Sequence, residues 1–210
     1  LEQGREVLEI QRPFRLREML NPSLILDEAL TLVSQMGIRR FSVSELAQRL
    51  GVVKSALYHH FPGGKWDIIK ALFEREEEKV LSSMEASARK ETTTRESLIA
   101  LAKAQIEAVM ELGRLYRVRE DIADELEGFL VSRRRAFLQR ERALIASILE
   151  QGVKKGEIKE VNVDLLSLAL QGALHNLSRA YALRGEGLPL EEISELMEIL
   201  FQGIGVTEIH

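Results

Sequence analysis

The sequence predicts an all-α protein with two domains: an N-terminal three-helix helix-turn-helix unit, joined by a long helix to a larger helical body. Three observations carry this. Apolar residues recur at spacings of three and four along the chain, whereas alternation with period two is rare. Proline is scarce, with 4 in 210 residues, so long helices meet few interruptions. The charge is also uneven. Residues 12–66 hold eight Lys or Arg against four acids, so the rest must carry −8 to give the net −4. A basic front on an acidic body suits a chain that meets a polyanion at one end.

Residues 1–20 are highly charged and weakly periodic. They read as a flexible arm, a short extra helix, or residues upstream of a start at Met19. The first helix is expected after Pro22 with Ser23 as its cap. Ile25, Ala29, Leu32 and Met36 form its buried stripe, and Gly37 ends it. The second helix is expected at about Ser44–Leu50, with Gly51 making the turn. The third covers about Lys54–His60 and is cut off by Pro62, Gly63 and Gly64. A long fourth helix opens near Lys65, with Trp66, Ile69, Leu72 and Phe73 on its inner side. The resulting domains are the arm at 1–20, the helix-turn-helix at 21–66, and the body at 67–210.

Within the body, Thr93 and Glu96 form a capping box for a helix to about Leu112. A shorter helix is expected at Tyr116–Leu126, and another from about Gly128 to Lys155, stopped by Gly156. The next begins at Val163 under Asn162 and ends near Gly185. The last follows Pro189 and runs to about Gly203.

Composition removes several function classes. No apolar run reaches the roughly 18 residues that span a bilayer. The N-terminus lacks a basic-then-apolar leader pattern. With no Cys, disulfides and thiolate metal sites are impossible. A cytoplasmic protein with no cofactor, no metal and no membrane partner is the expectation. There is no Gly-rich phosphate loop, no metal-ligand spacing, and no nucleophile, base and acid with motif support, so no catalytic residues are assigned. A helical scaffold would explain the helices but not the basic front.

The stretch "SVSELAQRLGVVKSALYHHF", Ser42–Phe61, carries the function. Two short helices cross steeply only with a small contact, Ala47, and a tight turn, Gly51. Leu46, Leu50, Val52 and Leu57 fill the space behind them. This is the helix-turn-helix pattern, whose second helix enters the DNA major groove.

With its aromatic ending, the sequence resembles the TetR family (tetracycline-repressor type) of transcriptional regulators over residues 25–73. The matching positions are Gly37, Ser42, Ala47, Gly51, Leu57, Tyr58, Phe61 and Lys65. The resemblance implies a DNA-binding domain followed by a ligand-binding and dimerisation domain. It implies that Lys54, Ser55 and Ala56 read base edges, and that Tyr58, His59 and His60 contact phosphates and nearby bases. Lys65 opens a helix at a phosphate, and Ser42 and Ser44 complete the DNA-facing set. A Tyr hydroxyl and an imidazole N–H both donate to phosphate, and the Tyr ring also suits sugar or a thymine methyl. Two departures stand out. Val53 occupies the recognition-helix cap, where the family has Ser or Thr, and "FPGGKWDII" carries one residue more than the common spacing between Phe61 and Lys65.

In the resembled family the body binds a small molecule and holds a dimer. "LEQGVKKGEI" and the apolar tail after it lean towards members that respond to fatty-acyl or other apolar ligands. The expected partners are therefore double-stranded operator DNA, a second copy of the chain, and a small apolar effector. A regulator without ligand, or one controlled by a protein, is the alternative. Gln105, Met110, Tyr116, Phe137, His175, Asn176 and Arg179 are the candidate ligand residues. Arg133, Arg134 or Arg135 would meet the phosphates of a coenzyme A thioester. Two apolar stripes at the chain end are the candidate dimer interface. One is Leu166, Leu170, Ala173, Leu177 and Tyr181; the other is Ile193, Met197, Leu200 and Phe201.

Overall fold

A computed structural model of the chain describes residues 20–117, 124–184 and 190–204, which form eight helices. The fold is all-α, as expected. The chain divides into two compact units. Among the described residues, one holds 20–76 with 114–117 and 124, and the other holds 77–113 with 125–184 and 190–204. The charged arm at 1–19 lies outside the described residues.

In the first unit, α1 spans Pro22–Arg40. Its cap is Asn21, whose Oδ1 accepts from Leu24 N at 3.0 Å, and not Ser23. Pro22 takes the first helical position, where its missing N–H costs nothing, so the cap lies one residue before it. Gly37 breaks the helix as expected, with φ 80 and ψ 162, and one further turn follows to Arg40. Helix α2 is Val43–Leu50, capped by Ser42 Oγ, which accepts from Glu45 N at 3.1 Å. It closes at Gly51 in the left-handed region, φ 65, with Val52 N bonded to Ala47 O at 3.0 Å. Helix α3 is Lys54–His60, followed by α4 at Lys65–Ala88. Ile25, Ala29, Leu32, Phe41, Leu46, Ala47, Leu57, Phe61, Ile69 and Leu72 are buried together with their neighbours. The small Ala47 and the buried Leu57 at 0% exposure fix how α2 and α3 meet.

Helix α4 is continuous through Glu76 and Glu77, where the two units divide. On the first side, Arg75 donates to Asp27 Oδ1 at 2.7 Å and to Ser23 O at 3.2 Å, binding α4 to α1.

In the second unit, α5 is Thr94–Arg117 and α6 is Asp124–Lys155. The capping box forms as expected: Glu96 N donates to Thr93 Oγ1, whose hydroxyl donates to Glu96 Oε2. Of the separate helix expected at Tyr116–Leu126, Tyr116 belongs to α5 and Leu126 to α6, and 118–123 lie outside the described residues. Gly128, the expected start of the next helix, lies inside α6. A glycine inside a helix costs only about 1 kcal/mol, which packing of the remaining turns offsets. Helix α6 does stop at Gly156, φ 73. Helix α7 is Val163–Arg184, with Leu165 N bonded to Asn162 Oδ1 at 3.0 Å, and α8 is Leu190–Ile204. Val80, Met84, Leu98, Leu101, Ile106, Ile145, Leu149, Leu174, Ile193 and Met197 make the core of this unit. Arg133 donates from Nε and Nη2 to Glu77 Oε2, and Arg140 pairs with both carboxylate oxygens of Glu78, so α6 holds the body half of α4.

Candidate nucleic-acid interface

Leu57 anchors α3, so the other faces of this seven-residue helix stay outside. Lys54 and Ser55 are exposed at its start, and Ala56 is half-buried. Val53 has the extended backbone of a cap, φ −79 and ψ 148, but supplies no side-chain hydrogen bond. The N–H groups of the first turn therefore lack that partner, a favourable surface for an anion.

Tyr58 is 46% exposed. Its ring rests on Gly64, where a Cβ would stand 3.0 Å from Tyr58 Cε1. Gly64 itself is left-handed, φ 65. Gly63 donates to Asp67 Oδ2 at 2.6 Å, and a Cβ on Gly63 would lie 2.4 Å from that carboxylate. The extra residue in "FPGGKWD" is thus accommodated in a turn whose left-handed Gly64 supports the tyrosine ring, while Gly63 faces only the Asp67 side chain. His59 is exposed and His60 half-buried, and their rings meet edge to face at 5.4 Å.

Lys65 is half-buried and donates to the carbonyl of Arg39 at 3.2 Å, with its ammonium 5.0 Å from the Trp66 ring centre. Its cation therefore sits at the end of α1, beside the exposed Arg39 and Arg40. Those two arginines entered the sequence reading only through the charge surplus. Ser42 uses its hydroxyl as the α2 cap and is half-buried, whereas Ser44 is exposed. Arg49 is paired with Glu28 at 2.7 Å.

The candidate ligand residues separate. Gln105 is 1% exposed, and neither amide atom has a hydrogen-bond partner among the described residues. Phe137 is half-buried against the body core. His175 Nε2 lies 2.7 Å from Glu141 Oε2, a residue the sequence did not single out. Asn176 and Arg179 are exposed. Met110 and Tyr116 lie on α5, but their side chains are outside the described residues. Arg133 is engaged by Glu77, while Arg134 and Arg135 are at the surface. A separate cleft of about 240 Å³ is lined by Arg89, Thr94, Leu101, Leu144 and Lys155 among others, and includes none of the candidate ligand residues.

Among the candidate dimer residues, Leu170, Ile193 and Met197 are enclosed within the chain's own core. Leu166, Ala173, Leu177, Tyr181, Leu200 and Phe201 are half-buried. The Tyr181 hydroxyl donates to Glu192, and this bond holds the Glu192 carboxyl below its ordinary pKa. Among the described residues, the large apolar side chains left outside on these helices are Leu165 at 63%, Leu168 at 51%, Leu190 at 42% and Ile199 at 63%.

No described helix is long and apolar enough to cross a membrane, and no group of three potential metal ligands occurs among the described residues. Residues 25–72 match the family model "Bacterial regulatory proteins, tetR family". The HTH-type transcriptional repressor KstR2 of Rhodococcus jostii is 28% identical over 151 residues, 67% of this chain and 70% of that protein. The nucleoid occlusion factor SlmA of Haemophilus ducreyi is 40% identical over 82 residues, which are 39% of this chain but only 38% of SlmA. Among solved structures, KstR2 of Mycobacterium tuberculosis superposes with a TM-score of 0.57 at 21% identity, covering 89% of this chain and 95% of that one. FadR of Bacillus subtilis, in complex with stearoyl-CoA, gives 0.64 at 24% identity, covering 89% and 98%. The basic front and the family match agree: residues 25–72 are a DNA-binding domain of the TetR family, on a chain whose all-α fold is shared with regulators of that family.

Proposed function

We propose that the protein is a cytoplasmic repressor that binds a palindromic operator as a homodimer and is released by a small apolar effector. The observation that carries the DNA half is the exposed face of α3, which presents Lys54, Ser55, Tyr58 and His59 while Leu57 locks the helix from behind. Lys54, Ser55 and Ala56 lead into the major groove. Tyr58, His59, His60 and Ser44 meet the backbone, Ser42 positions α2, and Lys65 with Arg39 and Arg40 adds a cationic edge. Mobility shift with a promoter fragment tests this. The logarithm of affinity should fall linearly with the logarithm of salt, with a slope near −0.9 per phosphate neutralised. Tyr58→Phe should cost about 1 kcal/mol, one net hydrogen bond. Salt-independent binding, or full affinity in the Lys54→Ala, Tyr58→Phe double variant, refutes the interface.

The effector half rests on the apolar core of the body and on the similarity to the repressor KstR2. Stearoyl-CoA, bound by the similarly folded FadR, is a suitable first probe beside free fatty acids and planar aromatics. An effector shifts operator affinity only by its differential affinity for two arrangements, commonly about 5- to 150-fold. If no such compound binds, control by a protein partner replaces this reading.

A further inference from the structure

Glu141 is fully buried, at 0% exposure, in an apolar body. Its Oε2 is well served: Gln171 Nε2 donates at 2.6 Å and His175 Nε2 lies at 2.7 Å. The same Gln171 nitrogen also donates to Leu138 O at 2.7 Å, so the amide is fixed between two acceptors on α6. Oε1 of Glu141 is buried too, and has no hydrogen-bond partner among the described residues. A buried carboxylate oxygen is among the costliest atoms to leave unmatched. Gln105, in the same core, repeats the pattern with an unmatched amide. An ordinary helical core would place leucine at such positions. His175, with its side chain 29% exposed, connects the buried carboxylate to the exterior.

We infer that Glu141 Oε1 is the recognition point for a hydrogen-bond donor on the effector, so that the effector is an apolar skeleton bearing a hydroxyl and not a carboxylate at its buried end. A hydroxyl donates to the carboxylate at little desolvation cost. An ether offers no donor, and a second carboxylate meets like charge. With Nε2 directed at Glu141, Nδ1 of His175 is the ring nitrogen left for a second polar group of the same ligand. The inference rests on the effector reading above and sharpens it.

The test compares three probes of one chain length, decan-1-ol, 1-methoxydecane and decanoate, by calorimetric titration of the full chain. The alcohol should bind at least about tenfold more tightly than the ether, as one bond to a charged acceptor requires. Decanoate should bind no better than the ether. In Glu141→Gln, which keeps the size but removes the charge, the alcohol-to-ether ratio should fall to about threefold or less, because an amide both donates and accepts. The wild-type comparison stands even if the variant does not fold. Equal binding of alcohol and ether would overturn the inference while leaving an apolar effector in place, Oε1 then being satisfied by water. If none of the three binds, the inference falls; the apolar-effector reading falls with it only if stearoyl-CoA, free fatty acids and planar aromatics also fail to bind.

Discussion

Glu157 shows how single polar atoms organise the body. Its Oε2 accepts from Thr94 N at 2.6 Å, satisfying one of the open N–H groups where α5 begins. Opposite this contact, a Cβ on Gly152 would lie 2.4 Å from Thr94 Oγ1, so the two segments are tightly apposed. The backbone bond from Thr94 holds the Glu157 carboxyl below its ordinary value of 4.5, with Lys155 adding to the effect. A lowered folded-state pKa means that this stabilisation is fully present above the unfolded value, and is lost as pH falls through the folded one. Glu157→Gln should therefore cost about 1 kcal/mol at neutral pH. That deficit should shrink as pH falls through the folded-state value, which lies below 4.5, because protonation removes the same charge from the wild type. Urea unfolding of both proteins across this range checks it; a deficit constant with pH excludes the ionic contribution. The sequence offered little warning of Glu157. Nor did it mark Glu141, which reads as one more charge in "QRERALI" until α7 is laid against it. Burial of a single carboxylate depends on segments distant in sequence, so periodicity within one helix does not reveal it.

Elements were far more legible, wherever the chain punctuates itself strongly. The bounds of α3 follow from Gly51 before it and Pro62–Gly64 after it, and α7 follows from Asn162. Where a lone glycine was the mark, as at Gly128, the helix ran through it. On α7 both faces are apolar, so spacing alone cannot say which faces inward; the structure encloses Leu170 and Leu174 and leaves Leu165 and Leu168 outside. The missing cap of α3 was visible from sequence and has a direct consequence. Val53 already has the extended backbone that a cap requires, and is 49% exposed, so replacing it removes little packing. Val53→Ser should accept from the first-turn N–H groups and stabilise α3 by about 1 kcal/mol. For a chain of this size that raises the melting midpoint by roughly 2–4 °C. An unchanged midpoint would mean that α3 is held by Leu57 and its neighbours alone.

At the scale of the whole molecule, one recognition helix of seven residues reads few base pairs, and operator binding by a pair of them gains both affinity and register. We propose as the pairing surface the outer stripe of α7, where the exposed Leu165, Leu168, Ala169, Gly172 and Asn176 recur at helical spacing, together with the exposed Ile199 on α8. Its small residues, Ala169 and Gly172, allow close helix approach between larger apolar neighbours. This stripe is displaced from the sequence-derived one, whose Leu170, Ile193 and Met197 serve the chain's own core. The displacement separates stability from assembly, so one can be changed without the other. Leu168→Glu puts a charge on the outer stripe and leaves the core residues untouched. Light scattering should give about twice 23.8 kDa for the wild type and a single chain mass for the variant at micromolar concentration. The variant should keep its helical content and melt as a folded protein. Its operator affinity should fall steeply, since two linked half-sites become two independent weak ones. If Leu168→Glu remains dimeric, the pairing surface lies elsewhere; if it is monomeric yet binds the operator with full affinity, the palindromic-dimer reading is wrong.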